Sequence, residues 1–405
     1  MAAMISATAP PVDRTAARTS TATASWAIHA VLFASTSVVL GVIWDISWHR
    51  TIGRDTFWTP AHLGIYLGGI VSGLTCGWLA LQTTFAGSEA DRAAAVRFWG
   101  FRAPFGAWVS IWGTIAMLTS APFDDWWHNA YGLDVKIVSP PHMVLAAGIG
   151  AIQAGAMLMA LASKNRAGGE RRDLNRLFLL GAGLLLLLAA TVATEYTQRW
   201  DMHQSLFYQV SAGVFVFFLV SAARAARTRS TPPRTERVAG APGWPATSVA
   251  LIYAAFQMLM LLLLPLFPGQ PLLGPIFVQV DRFMPPDFPL LLVVPALAID
   301  VLIRRVAAGA WRDWGLALLL AVVFVITFVA VQWPFADFLV SPWARNDLFG
   351  SHRMDYGVPP EIQQRFYQLN PPDNLVVGLP IAIAIGFASA RLGLWWGNWM
   401  SRVRR

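Results

Sequence analysis

What constrains this chain most is a recurrence. Apolar runs of bilayer-crossing length appear along its whole sequence, at residues 25–44, 61–81, 108–123, 142–162, 177–194, 206–222, 246–267, 288–302, 316–331 and 375–391. A helix needs ~20 apolar residues to cross the hydrocarbon core, and only helices or closed barrels can satisfy their backbone polar groups in lipid. The pattern predicts an all-α, polytopic transmembrane helix bundle of about ten helices. Composition agrees: 56% of residues are apolar and 13% charged, roughly half the charged share of a soluble domain. A soluble fold of this size would need a far more charged surface to cover its cores.

The formal net charge of +8 would suit nucleic-acid binding if the basic residues formed one patch. They are spread over alternate loops instead. Arg92, Arg97 and Arg102 follow the second run, and Lys164, Arg166, Arg171, Arg172 and Arg176 the fourth. Arg224, Arg227, Arg229, Arg234 and Arg237 follow the sixth, Arg304, Arg305 and Arg312 the eighth, and Arg402, Arg404 and Arg405 the last. The positive-inside rule makes those loops cytoplasmic. Both termini are then cytoplasmic, as an even helix count requires, in a protein integral to a bacterial inner membrane. The bilayer is the expected partner, and nucleic acid is excluded. The single cysteine, Cys76, allows neither an intrachain disulfide nor a thiolate cluster.

Segment composition gives the organisation. Residues 1–24, rich in Ala, Thr and Ser, read as a disordered cytoplasmic tail. A six-helix membrane part covers 25–223, a Pro- and Arg-rich cytoplasmic linker 224–245, and a four-helix membrane part 246–405. The last part has a long outer loop, 332–374, whose prolines and aromatics suggest a folded cap.

One sentence is written twice in the first half. A run ends in Asp45-Ile-Ser-Trp-His49 and the next opens at Thr59-Pro-Ala-His62; a later run ends in Asp124-Asp-Trp-Trp-His128 and the next opens at Ser139-Pro-Pro-His142. Residues four apart share one face of a helix, so Asp45 and His49 point the same way, and His62 returns to the same membrane depth. Asp124, His128 and His142 repeat the arrangement. Ionisable groups at membrane depth are costly and usually pair or bind something. Nitrogen and oxygen donors without sulfur suit Cu(II), Zn or non-haem Fe(II), and three protein ligands leave a position open.

The segment from Trp48 to His62, WHRTIGRDTFWTPAH, resembles the signature of the C subunit of particulate methane and ammonia monooxygenases. That copper membrane monooxygenase family carries Asp-x3-His-x12-His, and further on Asn-x3-His-x13-His. Asp45, His49 and His62 fall on the first pattern, and Asp124, His128 and His142 on the second. The resemblance covers roughly residues 25–165. It implies that each set is a copper site, and that a copper centre activates dioxygen to hydroxylate a small apolar substrate entering through the bilayer. It also implies partners, either other monooxygenase subunits or further copies of the chain. Two departures are visible. Asp124 stands where the family has Asn, adding an anionic ligand that favours a harder or more oxidised ion, and the chain runs beyond the family's usual length.

Two other readings stay open. The triads could pass copper on without catalysis, although carriers favour Met and Cys and the twelve methionines do not cluster in the outer loops. The metal could instead be iron, since two histidines and a carboxylate are also the non-haem iron set. Trp44, Trp48, Phe57, Trp58, Trp126 and Trp127 surround the triads and could line an apolar approach. Asp201 with His203 reads as a loop pair, His352 as a surface residue and His29 as a packing residue. Arg54 and Asp55 form a turn pair or orient the loop; Asp125 and Asp134 are exposed or support the ligands.

Overall fold

Every one of the ten apolar runs contains a helix. The structure, a computed structural model, describes residues 14–53, 56–131, 138–167, 171–227, 243–306 and 309–405, with the backbone alone for 14–24, 128 and 310. In chain order the helices are α1 (Arg14–Thr51), α2 (Pro60–Leu81, continued by a wider turn over Gln82–Ala86) and α3 (Glu89–Ala93). A short hairpin of β1 (Val96–Phe98) and β2 (Phe101–Ala103) follows. Then come α4 (Phe105–Tyr131), α5 (Pro140–Arg166), α6 (Arg172–Val192), α7 (Ser205–Ala226) and α8 (Pro245–Leu263). The last four are α9 (Val293–Arg305), α10 (Ala310–Val340), α11 (Pro360–Arg365) and α12 (Leu375–Met400).

Eight helices among the described residues are long and apolar enough to cross a membrane. The third and eighth expected crossings are helical but fall short of that standard. The 27 residues of α4 are long enough, yet Gly, Ser, Thr and the acids near its end dilute its hydropathy. The 13 residues of α9 reach only ~20 Å, against ~30 Å of hydrocarbon.

Several helices run further than the apolar pattern suggests. Residues 14–24 of the expected disordered tail are helical, because adding turns to an already nucleated helix costs little in an Ala-rich stretch; residues 1–13 lie outside the description. Of the expected linker, 228–242 lie outside it as well, whereas Arg224 belongs to α7 and is buried. Its guanidinium donates to Asp313 on α10, whose other oxygen accepts from Asn398 Nδ2 at 2.9 Å. The long loop expected from 332 begins at Ser341 instead, since α10 continues through Pro334 to Val340.

The first four long helices form two hairpins, α1 with α2 and α4 with α5, joined where α2 packs on α4 and α1 on α5. Close packing here is itself repeated. Gly68, six residues after His62, faces Ala34 and Val38, which lie eleven and seven residues before Asp45. Gly148, six residues after His142, faces Gly113 and Met117, which lie eleven and seven before Asp124. A Cβ on Gly68 would stand 2.3 Å from Val38 Cγ2, and one on Gly148 2.8 Å from the Gly113 carbonyl oxygen. Only hydrogen fits, as expected where helices approach backbone to backbone. The repeat therefore extends from the hairpin ends into the helix contacts that set their spacing.

The second half is not a separate bundle. α7 packs along α12 and α6 along α8, and Ser389 Oγ donates to the Gly213 carbonyl at 2.7 Å. At the end remote from His49, His62 and His142, buried polar groups tie the helices together. Lys164 Nζ donates to Asn175 Oδ1 at 2.7 Å and to the Ala226 carbonyl at 2.6 Å. Asp300 of α9 accepts from the backbone N–H groups of Ala246 and Thr247 at 3.0 and 2.8 Å, capping α8. A carboxylate at a helix N-terminus satisfies free donors and meets the positive end of the dipole.

Gly68→Ala is expected to lower stability by about 1–3 kcal/mol, the usual cost of overpacking. Gly77→Ala in the same helix meets nothing within 4 Å and should be neutral or stabilising by up to about 1 kcal/mol. Thermal unfolding of both variants in detergent checks the contrast.

Candidate metal centre

The first site is built by a hairpin with a sharp stop. α1 runs through Asp45 and His49 and ends where the N–H groups of Ile52 and Gly53 return to the Trp48 carbonyl, at 2.7 and 3.3 Å. Gly53 has φ +86°, the left-handed conformation that closes helices and favours glycine. α2 then starts with Thr59 at its N-cap, Pro60 in the first turn and His62 just after. Proline there sacrifices no hydrogen bond and presets the helical φ.

Of the three side chains singled out by the spacing, two meet closely and the third stands off. His62 Nε2 stands 3.2 Å from Asp45 Oδ1, and His49 Nε2 3.9 Å from Asp45 Oδ2. The other ring nitrogen of His62, Nδ1, lies 3.0 Å from the Thr56 carbonyl oxygen. A carbonyl can only accept, so Nδ1 carries a proton there. In the neutral ring Nε2 then presents a lone pair to a carboxylate oxygen. Asp45 Oδ1 is buried and makes no hydrogen bond of acceptable geometry. Two acceptors facing each other at this distance repel unless a proton or a cation sits between them. Anchoring the second ring nitrogen of a histidine on a backbone carbonyl is also how proteins orient metal-ligating imidazoles.

Distances sort the donors further. Two N or O ligands each ~2.0–2.1 Å from one ion, at cis or tetrahedral angles, lie about 2.8–3.4 Å apart. His62 and Asp45 meet that requirement. His49 is too far, and its side chain is 49% exposed, so closing on an ion requires a rotamer change. Among the described residues no group of three or more His, Cys, Asp or Glu side chains is gathered to hold a metal ion; His49 is the outlying member here.

The second site pairs the same two residue types at a slightly longer separation, just beyond the range for two ligands of one ion. His142, in the first turn of α5 after Ser139 and Pro140, places Nε2 3.5 Å from Asp124 Oδ1. The side chain of His128 lies outside the description, as do Arg54, Asp55 and Asp134. Asp125 is exposed, and its Oδ2 accepts from Asn129 at 3.4 Å. The antiparallel packing of the two hairpins brings both sites to one end of the bundle.

A feature absent from the sequence reading is the brace behind the first site. Ser47 Oγ donates to the Met284 carbonyl at 2.5 Å, and Met284 N–H donates to Thr51 Oγ1 at 2.8 Å. Leu272 N–H donates to the Ile52 carbonyl at 2.9 Å. Arg50 donates from Nε and Nη2 to Asp355 Oδ1, both at 2.9 Å, and from Nη1 to the Pro285 carbonyl at 3.1 Å. Trp48 turns toward Phe283, with ring centroids 5.6 Å apart. The loops of the second half thus grip the end of α1 through residues interleaved with the site. Their partners lie more than 200 residues away in sequence, which no local pattern could signal.

The remaining histidines go elsewhere. His203 stacks on Trp333 at 4.0 Å with Nε2 3.3 Å from that residue's carbonyl oxygen. Asp201 accepts instead from Asn370 Nδ2 at 2.7 Å; burial raises its carboxyl pKa and this bond offsets part of the rise. His352 lies in a surface cluster with Asp347 and Arg353, and exposed His29 donates from Nδ1 to the Ser25 carbonyl at 2.7 Å. Phe57, Trp58 and Trp126 are exposed at the site end of the bundle.

Comparison with protein-family models, curated proteins and solved structures finds no match to this chain.

The brace can be measured by a double-mutant cycle. Arg50→Met and Asp355→Asn should show a coupling of about 1 kcal/mol in thermal unfolding, as expected for a part-exposed pair with more than one hydrogen bond. Additive effects would mean that the loop docks through its other contacts.

Proposed function

We propose that this chain is a copper-binding integral membrane protein of the monooxygenase type. In this reading about ten crossings leave both termini in the cytoplasm of a bacterial cell, and the two sites face away from it. Asp45, His49 and His62 hold one ion, and Asp124, His128 and His142 a second. The observation that carries the reading is the 3.2 Å approach of Asp45 Oδ1 to His62 Nε2, with Nδ1 of the same ring committed to Thr56.

The protein's own groups have separate tasks. Asp45 supplies negative charge where a cation would sit, and Thr56 fixes the ring that offers it a lone pair. His49, half exposed, can swing to complete the set or leave a position open. Copper, when bound, supplies the one-electron redox chemistry that activation of dioxygen needs. Phe57, Trp58 and Trp126 give a small apolar substrate a route from the bilayer edge, while reductant and the remaining machinery come from partner subunits or further copies of the chain. Iron in the same ligands is the second choice of metal. A non-catalytic copper-handling role is the alternative favoured by the partial exposure of His49, Asp124 and His142.

Protein purified without chelators should contain close to two equivalents of copper, and His62→Ala and His142→Ala should each lose about half of it, by elemental analysis of folded samples. Unchanged metal in both variants would reduce the Asp45–His62 contact to an ordinary imidazolium–carboxylate pair. Iron in place of copper would change the chemistry and keep the sites. Oxygen uptake stimulated by a short alkane, alkene or ammonia separates the enzyme from the carrier.

A further inference from the structure

Two hydroxyls are left over at matching places in the two hairpins. Thr59 and Ser139 are the N-cap residues of α2 and α5, each three residues before the returning histidine and each followed by proline. An N-cap hydroxyl ordinarily accepts from a backbone N–H two or three residues on. Neither of these does. Both residues are only 5% exposed, and both side-chain oxygens are buried without a hydrogen-bond partner. A buried hydroxyl that gives up its cap and finds nothing else is costly. One such atom could be an accident of packing; the same orphan at the same register of a repeat is part of the design. As N-caps, Thr59 and Ser139 sit within one turn of His62 and His142 along the chain, at the hairpin end that carries the carboxylate.

We infer that Thr59 and Ser139 are positioning residues of the two sites, each hydroxyl holding by a hydrogen bond a water or hydroxide carried by the ion in its own hairpin. The inference rests on the proposed metal binding and deepens it. The site otherwise offers bound hydroxide no donor: a carboxylate accepts from bound water but cannot donate, and an imidazole nitrogen bound to an ion is used up. A hydroxyl both donates and accepts, so it can accept from bound water and donate to bound hydroxide. It also explains why the cap is forgone, since the oxygen is kept for a partner that arrives with the ion.

The test uses the full chain in detergent with Cu(II) added as the probe, each variant measured with the other site disabled: Thr59→Val beside His142→Ala, and Ser139→Ala beside His62→Ala. Copper affinity, read by competition with a chelator, should weaken about tenfold or more, as for loss of other groups that support ligands. Thr59→Ser should restore it. Without copper, Thr59→Val should melt no lower than its background, because it removes an unsatisfied buried hydroxyl and no cap. Equal copper affinity in Thr59→Val and its background overturns the inference and leaves the metal site standing. A lower melting temperature without copper, at unchanged affinity, marks an ordinary structural hydroxyl and also overturns it. Backgrounds that bind no copper overturn the metal reading, and this inference with it.

Discussion

The approach of Asp45 to His62 depends on how closely two helices can lie. Their side chains project from opposite arms of a hairpin, and each arm must be within a few ångströms of its final place for an imidazole nitrogen to reach a carboxylate oxygen. Small residues supply that closeness: Gly68 lies against Val38 and the Ala34 backbone, with no room for a methyl group. In lipid there is no hydrophobic force between helices to do this work, so packing of small residues sets the distance. Gly148 against Gly113 and Met117 does the same for Asp124 and His142. The chemistry at the hairpin ends and the packing below them belong to one repeated unit.

The two units differ in what surrounds them. The first is held from behind by loops of the second half of the chain through Ser47, Arg50 and Thr51, residues interleaved with Asp45 and His49 on the same turns of α1. This gives the second half a task that its own sequence does not declare, since it fixes the helix end on which two proposed ligands ride. A site whose supporting contacts are locked holds its geometry better than one on a free helix end. Asp45 and His62 are also more enclosed than Asp124 and His142. If both units bind metal, their ions experience different surroundings despite nearly the same ligand spacing.

Much of this was legible in the sequence. Apolar runs located the helices, and the histidine that heads each returning helix located the groups that meet, because a short connection brings the start of the second helix back to the end of the first. The helix ends were less legible. α1 and α10 continue into polar or aromatic stretches that a search for apolar runs leaves out, and Arg224 looked like a loop cation until Asp313, 89 residues further on, was found beside it. The brace on α1 and the outlying position of His49 could not be read at all, since both are consequences of tertiary packing. Thr59 and Ser139 were visible as part of the repeated motif, but only the loss of their caps sets them apart from ordinary helix starts.

The central claim is that Asp45 and His62 face each other because a metal ion belongs between them. X-ray absorption at the copper edge of metal-loaded protein tests it most directly. The account predicts a first shell of nitrogen and oxygen alone at ~2.0 Å, with the outer-shell pattern of imidazole. Sulfur in that shell, or no imidazole signal in protein that retains copper, would contradict it.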